Sequence, residues 1–415
     1  MTDWITADAA AERLGVKRAT LYAYVSRGVL VRKRAADGRG SLFDAAEIDR
    51  LTSRGRPRHP AGGGDLIIES AITEITGEHL RYRGHDVTTL ARTRTFEDVA
   101  TLLWTGELPA PLPTPPGWRA TAEAVAIGSA AQAALPARTL PAERLQVIVP
   151  ALAAADPLRL HLDPPAVIAA AHALIGGLTD CLPAPGEDPP EDSSIAVRLW
   201  RKLCPQPPSA GLLDALRAAL VLLADHELAA STLAARVAAS VRADPYAVVA
   251  TGLGALAGPL HGGASLGVEG MLAAAAEPAD APRVVAELLR RTGRVPGFGH
   301  LVYKSGDPRA LCLLGLLRRG VPASGPAPAR LAVAEGVLAE MRRRSLPEPN
   351  VDFALALLKE MAGMISGAGE AIFAIARSAG WTAHALEEYA RATPLRPRAV
   401  YVGPPGIDAA SPDLS

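Results

Sequence analysis

The chain has little of several features that would narrow its function at once. Its 415 residues include only three cysteines, Cys181, Cys204 and Cys312, with no Cys-x-x-Cys spacing. That excludes a disulfide framework or a thiolate zinc site and points to reduced thiols. Aromatic residues make up 4% of the chain, so the core has to be built from Ala, Leu and Val on closely approaching helices. A charge excess of one sign is missing too: 43 Lys and Arg balance 43 Asp and Glu, which excludes a chain that is basic overall. The charge-free stretch Pro245–Val268 is interrupted by Pro259, His261 and several glycines, so it is not expected to span a membrane. The opening MTDWITADAAAERLG has neither the basic nor the apolar part of a secretory leader, and a cytoplasmic location is expected.

The balanced charge hides an asymmetry. Residues 1–58 hold twelve Lys and Arg against seven acids, a local net charge of +5. A basic end on an otherwise acidic chain points to an anionic partner. Thr6 can cap a helix that runs to Leu14 and stops at Gly15, and a second helix runs from about Lys17 to Ser26. The stretch VLVRKRAADGRGSLFD then reads as two strands around a Gly-rich turn, followed by a short helix from Ala45 to Leu51. Helix, tight turn, helix and basic wing is the arrangement that lays a recognition helix in a DNA major groove. The segment resembles the excisionase-like and MerR-type winged helix-turn-helix. DNA-contact candidates are Arg18, Thr20 and Tyr22 on the second helix and Arg32, Lys33 and Arg34 in the wing. A protein-interaction or vestigial module fits the same pattern. Residues 1–54 form this module and 55–64 the linker, within the Pro/Gly/Arg-rich SRGRPRHPAGGGD.

Beyond the linker the pattern is mainly α. One exception is Asp65–Val87, whose alternating β-branched residues and Gly77 and Gly84 predict a short antiparallel hairpin. Helices are expected over Thr95–Thr105, Ala120–Ala134, Leu140–Ala155, Pro165–Ile175, Ile195–Lys202 and Ala210–Ala224, separated in several places by Pro/Gly clusters.

Three histidines stand out by context: His226 in ADHELAAST, His261 in GPLHGGA and His300 in GFGHLVYKSGDPRA. The last two sit in glycine-rich turns, where a ligand can approach the backbone closely. In PEPNVDFALALL, Asn350 is a good N-cap and Asp352 falls in the first helical turn, where the helix dipole favours its ionised form. From spacing alone Asp352 is either a helix stabiliser or a base.

The strings ESAITEITGEHLRYRGHDV, DHELAASTLAARVAAS, GPLHGGA, GFGHLVYKSGDPRA, NVDFALALL and FAIARSAGW, with LRPRAVYVG after them, occur in the order found in citrate and 2-methylcitrate synthases. The chain resembles that family over about residues 62–403. The resemblance implies a two-domain helical fold, the large domain formed by 65–261 and 367–415 and the small domain by 262–366, and an obligate homodimer. It implies condensation of an acyl-CoA with a 2-oxo acid, most simply acetyl-CoA with oxaloacetate, giving citrate and CoA. Asp352 would remove a methyl proton, His261 would hydrogen-bond the thioester carbonyl, and His300 would polarise the oxaloacetate ketone. His226, Arg309 and Arg377 would bind the oxaloacetate, and Arg396 would reach the neighbouring subunit's site. Lys304 is a candidate for CoA phosphate contacts, and the backbone around Gly297, Phe298 and Gly299 for the adenine. No tightly bound cofactor is implied, and no metal-ligand spacing appears.

The chemistry suits these residue types. A thioester methyl is a very weak acid, so its base needs a preorganised donor for the developing oxyanion. Arginine binds carboxylates through two parallel hydrogen bonds. Three positions depart from the common pattern: Ala229 for Asn, Leu301 for Arg and Ser265 for Asn. They thin the polar network around the 2-oxo acid. A 2-methylcitrate synthase using propionyl-CoA is one alternative, and a DNA-binding regulator whose synthase-like body senses a ligand is another.

Overall fold

A computed structural model describes residues 4–14, 16, 21, 25, 30, 32–34, 40–45, 47–48, 68–111, 117–185, 193–399 and 402–403. The chain divides into two compact units, one comprising residues 1–68 and 397–415 and the other residues 69–396.

In the first unit, strand β1 (Trp4–Thr6) leads into helix α1 (Ala7–Leu14), and β2 (Arg32–Arg34) and β3 (Ser41–Asp44) follow. The Thr6 hydroxyl accepts the Ala9 amide at 3.3 Å, the cap expected from the sequence. The three strands form an antiparallel sheet in the order β1-β3-β2, with Ile5 and Arg32 both opposite Phe43. A small core of Ala7, Ala10, Ala11, Leu21, Leu30, Phe43 and Ile48 holds the unit together. Leu21 and Val25 are helical, as the second helix requires. Arg18, Thr20 and Tyr22 lie outside the described residues, as does the side chain of Arg34. Arg32 and Lys33 are exposed on β2, and the Lys33 ammonium stands 5.4 Å from the centre of the Trp4 ring.

The second unit opens with the expected hairpin, β4 (Thr73–Thr76) and β5 (His79–Tyr82), extended by the short β6 (His85–Asp86). Helices α2 (Val87–Thr93), α3 (Phe96–Thr105), α4 (Ala122–Ala133), α5 (Pro141–Ala155), α6 (Pro164–Asp180), α7 (Ile195–Leu203) and α8 (Ala210–Leu223) follow. The sequence expects six of these, and five of the six start at a readable cap: Thr95, Thr121, Asp163, Ser194 and Ser209 all accept an amide of the first turn.

Helices α9 (Ala230–Ser240), α10 (Pro245–Leu256), α11 (Ala264–Ala273), α12 (Ala281–Thr292), α13 (Pro308–Arg319), α14 (Ala327–Arg343), α15 (Val351–Ala362) and α16 (Ala368–Tyr389) complete the unit. Helix α16 is buried on nearly all sides from Ala368 to Ala385 and is the axis of the core. Small residues let its neighbours come close. A Cβ on Gly380 would lie 2.4 Å from the Ala224 carbonyl, and one on Gly252 would lie 2.6 Å from the Trp381 ring. A chain so poor in aromatics packs by such close approaches, filled by Ala, Leu and Val. Among the described residues no helix is long and apolar enough to cross a membrane.

Candidate active site

Four short segments converge around the guanidinium groups of Arg309 and Arg377. The first follows α8, where the chain turns through Asp225, His226 and Glu227, the last with φ 52°. Asp225 is fully buried and accepts the Thr73 hydroxyl at 2.5 Å and the Glu227 amide at 3.1 Å, with His384 Nε2 at 3.4 Å. Burial disfavours its charge, but His384, Arg377 and Thr73 outweigh that and hold its pKa below the ordinary carboxyl range. Asp225 thus anchors the turn that presents His226. Ala229 occupies the N-cap position of α9 and offers no side-chain cap.

His261 lies in the tight turn between α10 and α11; its amide donates to the Gly258 carbonyl at 2.9 Å. Its Nε2 is 2.8 Å from the Ser231 hydroxyl, and its ring meets Phe373 edge-on at 5.7 Å. Burial, with Arg377 and Arg309, pulls its pKa down to about 4, so it is neutral at pH 7.

His300 sits in a loop whose glycines Gly297, Gly299 and Gly306 have φ of 81°, 82° and 125°. These left-handed conformations are open to glycine at no steric cost. The loop is pinned to the segment before α15. The Gly299 amide donates to Glu348 at 2.8 Å, the Asn350 amide to Gly297 at 2.9 Å, and the Asn350 side-chain amide to Gly299 at 3.0 Å. His300 Nδ1 accepts the Val302 amide at 3.0 Å. An acceptor at Nδ1 places the proton of the neutral ring on Nε2, the tautomer that can donate to a carbonyl oxygen. The 3.4 Å approach of Arg309 Nη2 to that Nε2 then sets donor against donor and is a close contact rather than a hydrogen bond. Burial and Arg309 keep the ring's pKa lowered.

The fourth segment is the start of α15. Asn350 caps it by accepting the Asp352 amide at 3.1 Å. The Asp352 Oδ1 is buried and has no hydrogen-bond partner among the described residues. Burial pushes its pKa up to about 7, against the opposing pull of Arg309 and with Asp307 adding to the rise. The helix terminus was expected to favour the ionised form. Desolvation outweighs it, because the dipole contributes about 0.3–1 kcal/mol at exposed ends, whereas full burial can move a carboxyl by several pH units.

The two arginines are held differently. Arg309 is gripped by Asp307, Nε to Oδ1 at 3.0 Å and Nη2 to Oδ2 at 2.9 Å. Arg377 is 1% exposed and donates Nε to the Leu223 carbonyl at 2.8 Å, while Nη1 and Nη2 have no hydrogen-bond partner among the described residues. Burial lowers its pKa to about 10, with Asp225 opposing, so it remains a cation at pH 7. A buried cation with two unpaired donors is costly unless an anion meets it. The site therefore suits a carboxylate.

Arg396 is exposed on the extended segment after α16. Lys304 is exposed at the edge of the His300 loop, its ammonium 3.0 Å from the Leu301 carbonyl. Gly297 is buried; a Cβ there would meet Val268 at 2.8 Å and Phe353 at 3.1 Å. Sequence reading missed Ser231, Tyr303, Asp307 and Glu370. Asp307 had a signal, as an Asp-Pro helix start. Glu370, in the first turn of α16, is buried, and burial with Glu269, Glu143 and Asp352 raises its pKa to about 7.

A mainly helical body with three neutral histidines, a carboxyl with a raised pKa and two buried arginines suits proton transfer beside a carboxylate ligand. Residues 63–398 match the family model for the citrate synthase C-terminal domain, and residues 5–53 match that for the MerR helix-turn-helix regulatory proteins. The chain belongs to the citrate synthase family and is a condensing enzyme. Citrate synthase 2 of Bacillus subtilis is 32% identical over 370 residues, covering 82% of this chain and 95% of that one. The 2-methylcitrate synthase of Mycobacterium tuberculosis is 29% identical over 367 residues, covering 84% and 91%. Among solved structures, the Thermoplasma acidophilum citrate synthase in ternary complex with carboxymethyl coenzyme A and oxaloacetate superposes with a TM-score of 0.71 at 26% identity, covering 83% of this chain and 96% of that one.

Proposed function

We propose that the chain condenses acetyl-CoA with oxaloacetate and hydrolyses the resulting thioester to citrate and CoA. The observation that carries this reading is Asp352: a half-buried carboxyl with one oxygen buried and unpartnered and its pKa raised to about 7, beside neutral histidines and two cations. A general base works best when its pKa lies near the operating pH. Asp352 takes the methyl proton. His261 supplies a hydrogen bond to the thioester oxygen as the enol forms, and being neutral it can do so without a fixed charge. His300, with its proton on Nε2, polarises the ketone that the new carbon nucleophile attacks. Arg309, Arg377 and His226 hold the acceptor's carboxylates, and water then cleaves the citryl thioester. Lys304 and the backbone at Gly297, Phe298 and Gly299 serve the CoA.

Residues 65–261 with 367–415 act as the large domain and 262–366 as the small one, closing to exclude water from the enol. Two copies associate, each lending Arg396 to the other's site. A monomer in sedimentation experiments that retains full activity would exclude it.

Propionyl-CoA is the competing acyl donor, because one methylene is worth about 1–3 kcal/mol of discrimination. The deciding experiment is CoA-thiol release from the purified full chain with oxaloacetate and either thioester. Turnover preferring acetyl-CoA supports citrate synthesis, and a preference for propionyl-CoA moves the assignment to 2-methylcitrate. No turnover from folded protein that still binds oxaloacetate removes the enzymatic reading of this site.

A second reading concerns residues 1–54 and rests on the exposed Arg32 and Lys33 of the wing strand. They and the charge of +5 over residues 1–58 support binding to DNA. The full chain is expected to shift duplex DNA with a salt dependence that weakens in the Arg32→Ala, Lys33→Ala double variant. Salt-independent or absent binding refutes it.

A further inference from the structure

Tyr303 belongs to none of the roles assigned above, yet it stands at the centre of the cluster. Its side chain is 3% exposed. Its ring lies 4.8 Å from the His300 ring and 5.5 Å from the His226 ring, and the Arg309 guanidinium is 5.8 Å from its centre. Its hydroxyl is 2.9 Å from His226 Nε2. Among the described residues that is the hydroxyl's hydrogen-bond contact.

The direction of this bond follows from what burial allows. If the phenol accepted from Nε2–H, its own proton would be left without an acceptor inside the protein, which costs more than the bond gains. The phenol therefore donates and Nε2 accepts. His226 then carries its one proton on Nδ1. Burial pushes the phenol's pKa up to about 12 and, with Arg309 and Arg377, lowers that of His226 well below its usual value, so both groups are neutral at pH 7. The bond also crosses between segments. Tyr303 rides on the glycine-hinged loop with His300, whereas His226 rides on the turn anchored by Asp225.

We propose that Tyr303 is a positioning residue of the condensation: its hydroxyl fixes the orientation and the proton position of His226, and through it the affinity for the 2-oxo acid. The inference rests on the reading of His226 as part of the 2-oxo acid site. In Tyr303→Phe the ring and its packing stay, and Nε2 loses its donor. His226 is then free to turn or to move its proton, and the KM for oxaloacetate rises about three- to tenfold while kcat stays within about twofold.

Two measurements on the full chain test this. The first is steady-state kinetics of Tyr303→Phe with oxaloacetate varied at saturating thioester. The second is the 15N resonance pair of His226 in wild type and variant, which reports the tautomer whether or not the protein turns over. The expected result is an Nδ1-protonated ring in the wild type that changes its tautomer balance in the variant, together with the KM rise. An unchanged tautomer, an unchanged KM, or an equal loss of kcat and kcat/KM overturns the proposal. If the wild type shows the expected tautomer but no condensation, the His226 contact stands and the substrate reading fails.

Discussion

The carboxylate of Asp307 accepts the amide of Val351 at 3.0 Å while gripping the guanidinium of Arg309 at 2.9 Å. One buried side chain thus joins the helix that carries Arg309 to the first residue of the helix that carries Asp352. Burial alone would make the Asp307 carboxylate costly, but Arg309 outweighs it and keeps its pKa low.

Asp307→Asn is therefore expected to cost more than an exposed ion pair. It leaves Arg309 buried without its counter-charge, and breaking such a pair costs about 3–5 kcal/mol of stability. The same change loosens Arg309 and should raise the KM for oxaloacetate. Urea unfolding and steady-state kinetics check both, and a stability within about 0.5 kcal/mol of wild type contradicts the role given to Asp307.

The pH dependence has a definite sign. Asp352 has its pKa raised to about 7 by burial, above the ordinary value of about 3.9 in an unfolded chain. The native state holds that proton more tightly. Its contribution to stability is present below the unfolded value and is lost as pH rises towards 7. Asp352→Asn, which cannot ionise, should gain thermal stability relative to wild type more at pH 8 than at pH 4. Catalysis has the opposite sense: the proposed role of Asp352 as base needs it ionised, so kcat/KM should rise with pH through about 7. Calorimetry at several pH values and a pH–rate profile check the pair. A variant whose gain is independent of pH would contradict the buried proton.

Ala229 begins α9 without a side-chain cap. Ala229→Asn supplies one at a backbone position already extended (φ −52°, ψ 155°), and an N-cap contributes about 0.5–2 kcal/mol. A rise in the urea midpoint is expected. No change would mean that the added amide is spent on another partner.

Gly380→Ala tests the close packing of the central helix. The added Cβ would lie 2.4 Å from both the Ala224 carbonyl and the Asp225 carboxylate. Overpacking of this kind costs about 1–3 kcal/mol. Because Asp225 anchors the His226 turn, oxaloacetate binding should weaken along with stability, as titration calorimetry can show.

How much of this was legible in the chain differs from element to element. Helices with a Ser, Thr or Asp before them were readable, because capping is a local contest for amide hydrogens. His261 and His300 were readable because their glycine neighbours already mark turns. Tyr303 was not, since a tyrosine near a histidine in sequence says nothing about a second histidine 77 residues away. Ser231 lies five residues after His226, and its bond to His261 likewise joins two separate segments.

The sequence by itself determined the helical class, the separate basic module at the start, the family and the side chains available for chemistry. These depend on local periodicity, capping and the identities of residues. Only the tertiary structure decided their protonation and pairing. Asp352 is written as the first-turn acid of a helix and so reads as ionised. Packing removes water from around it and leaves one oxygen without a partner, and desolvation then outweighs the helix dipole. Asp307, Tyr303 and the two arginines acquire their roles in the same way, because the field inside a protein is set by which charges and dipoles the fold brings together.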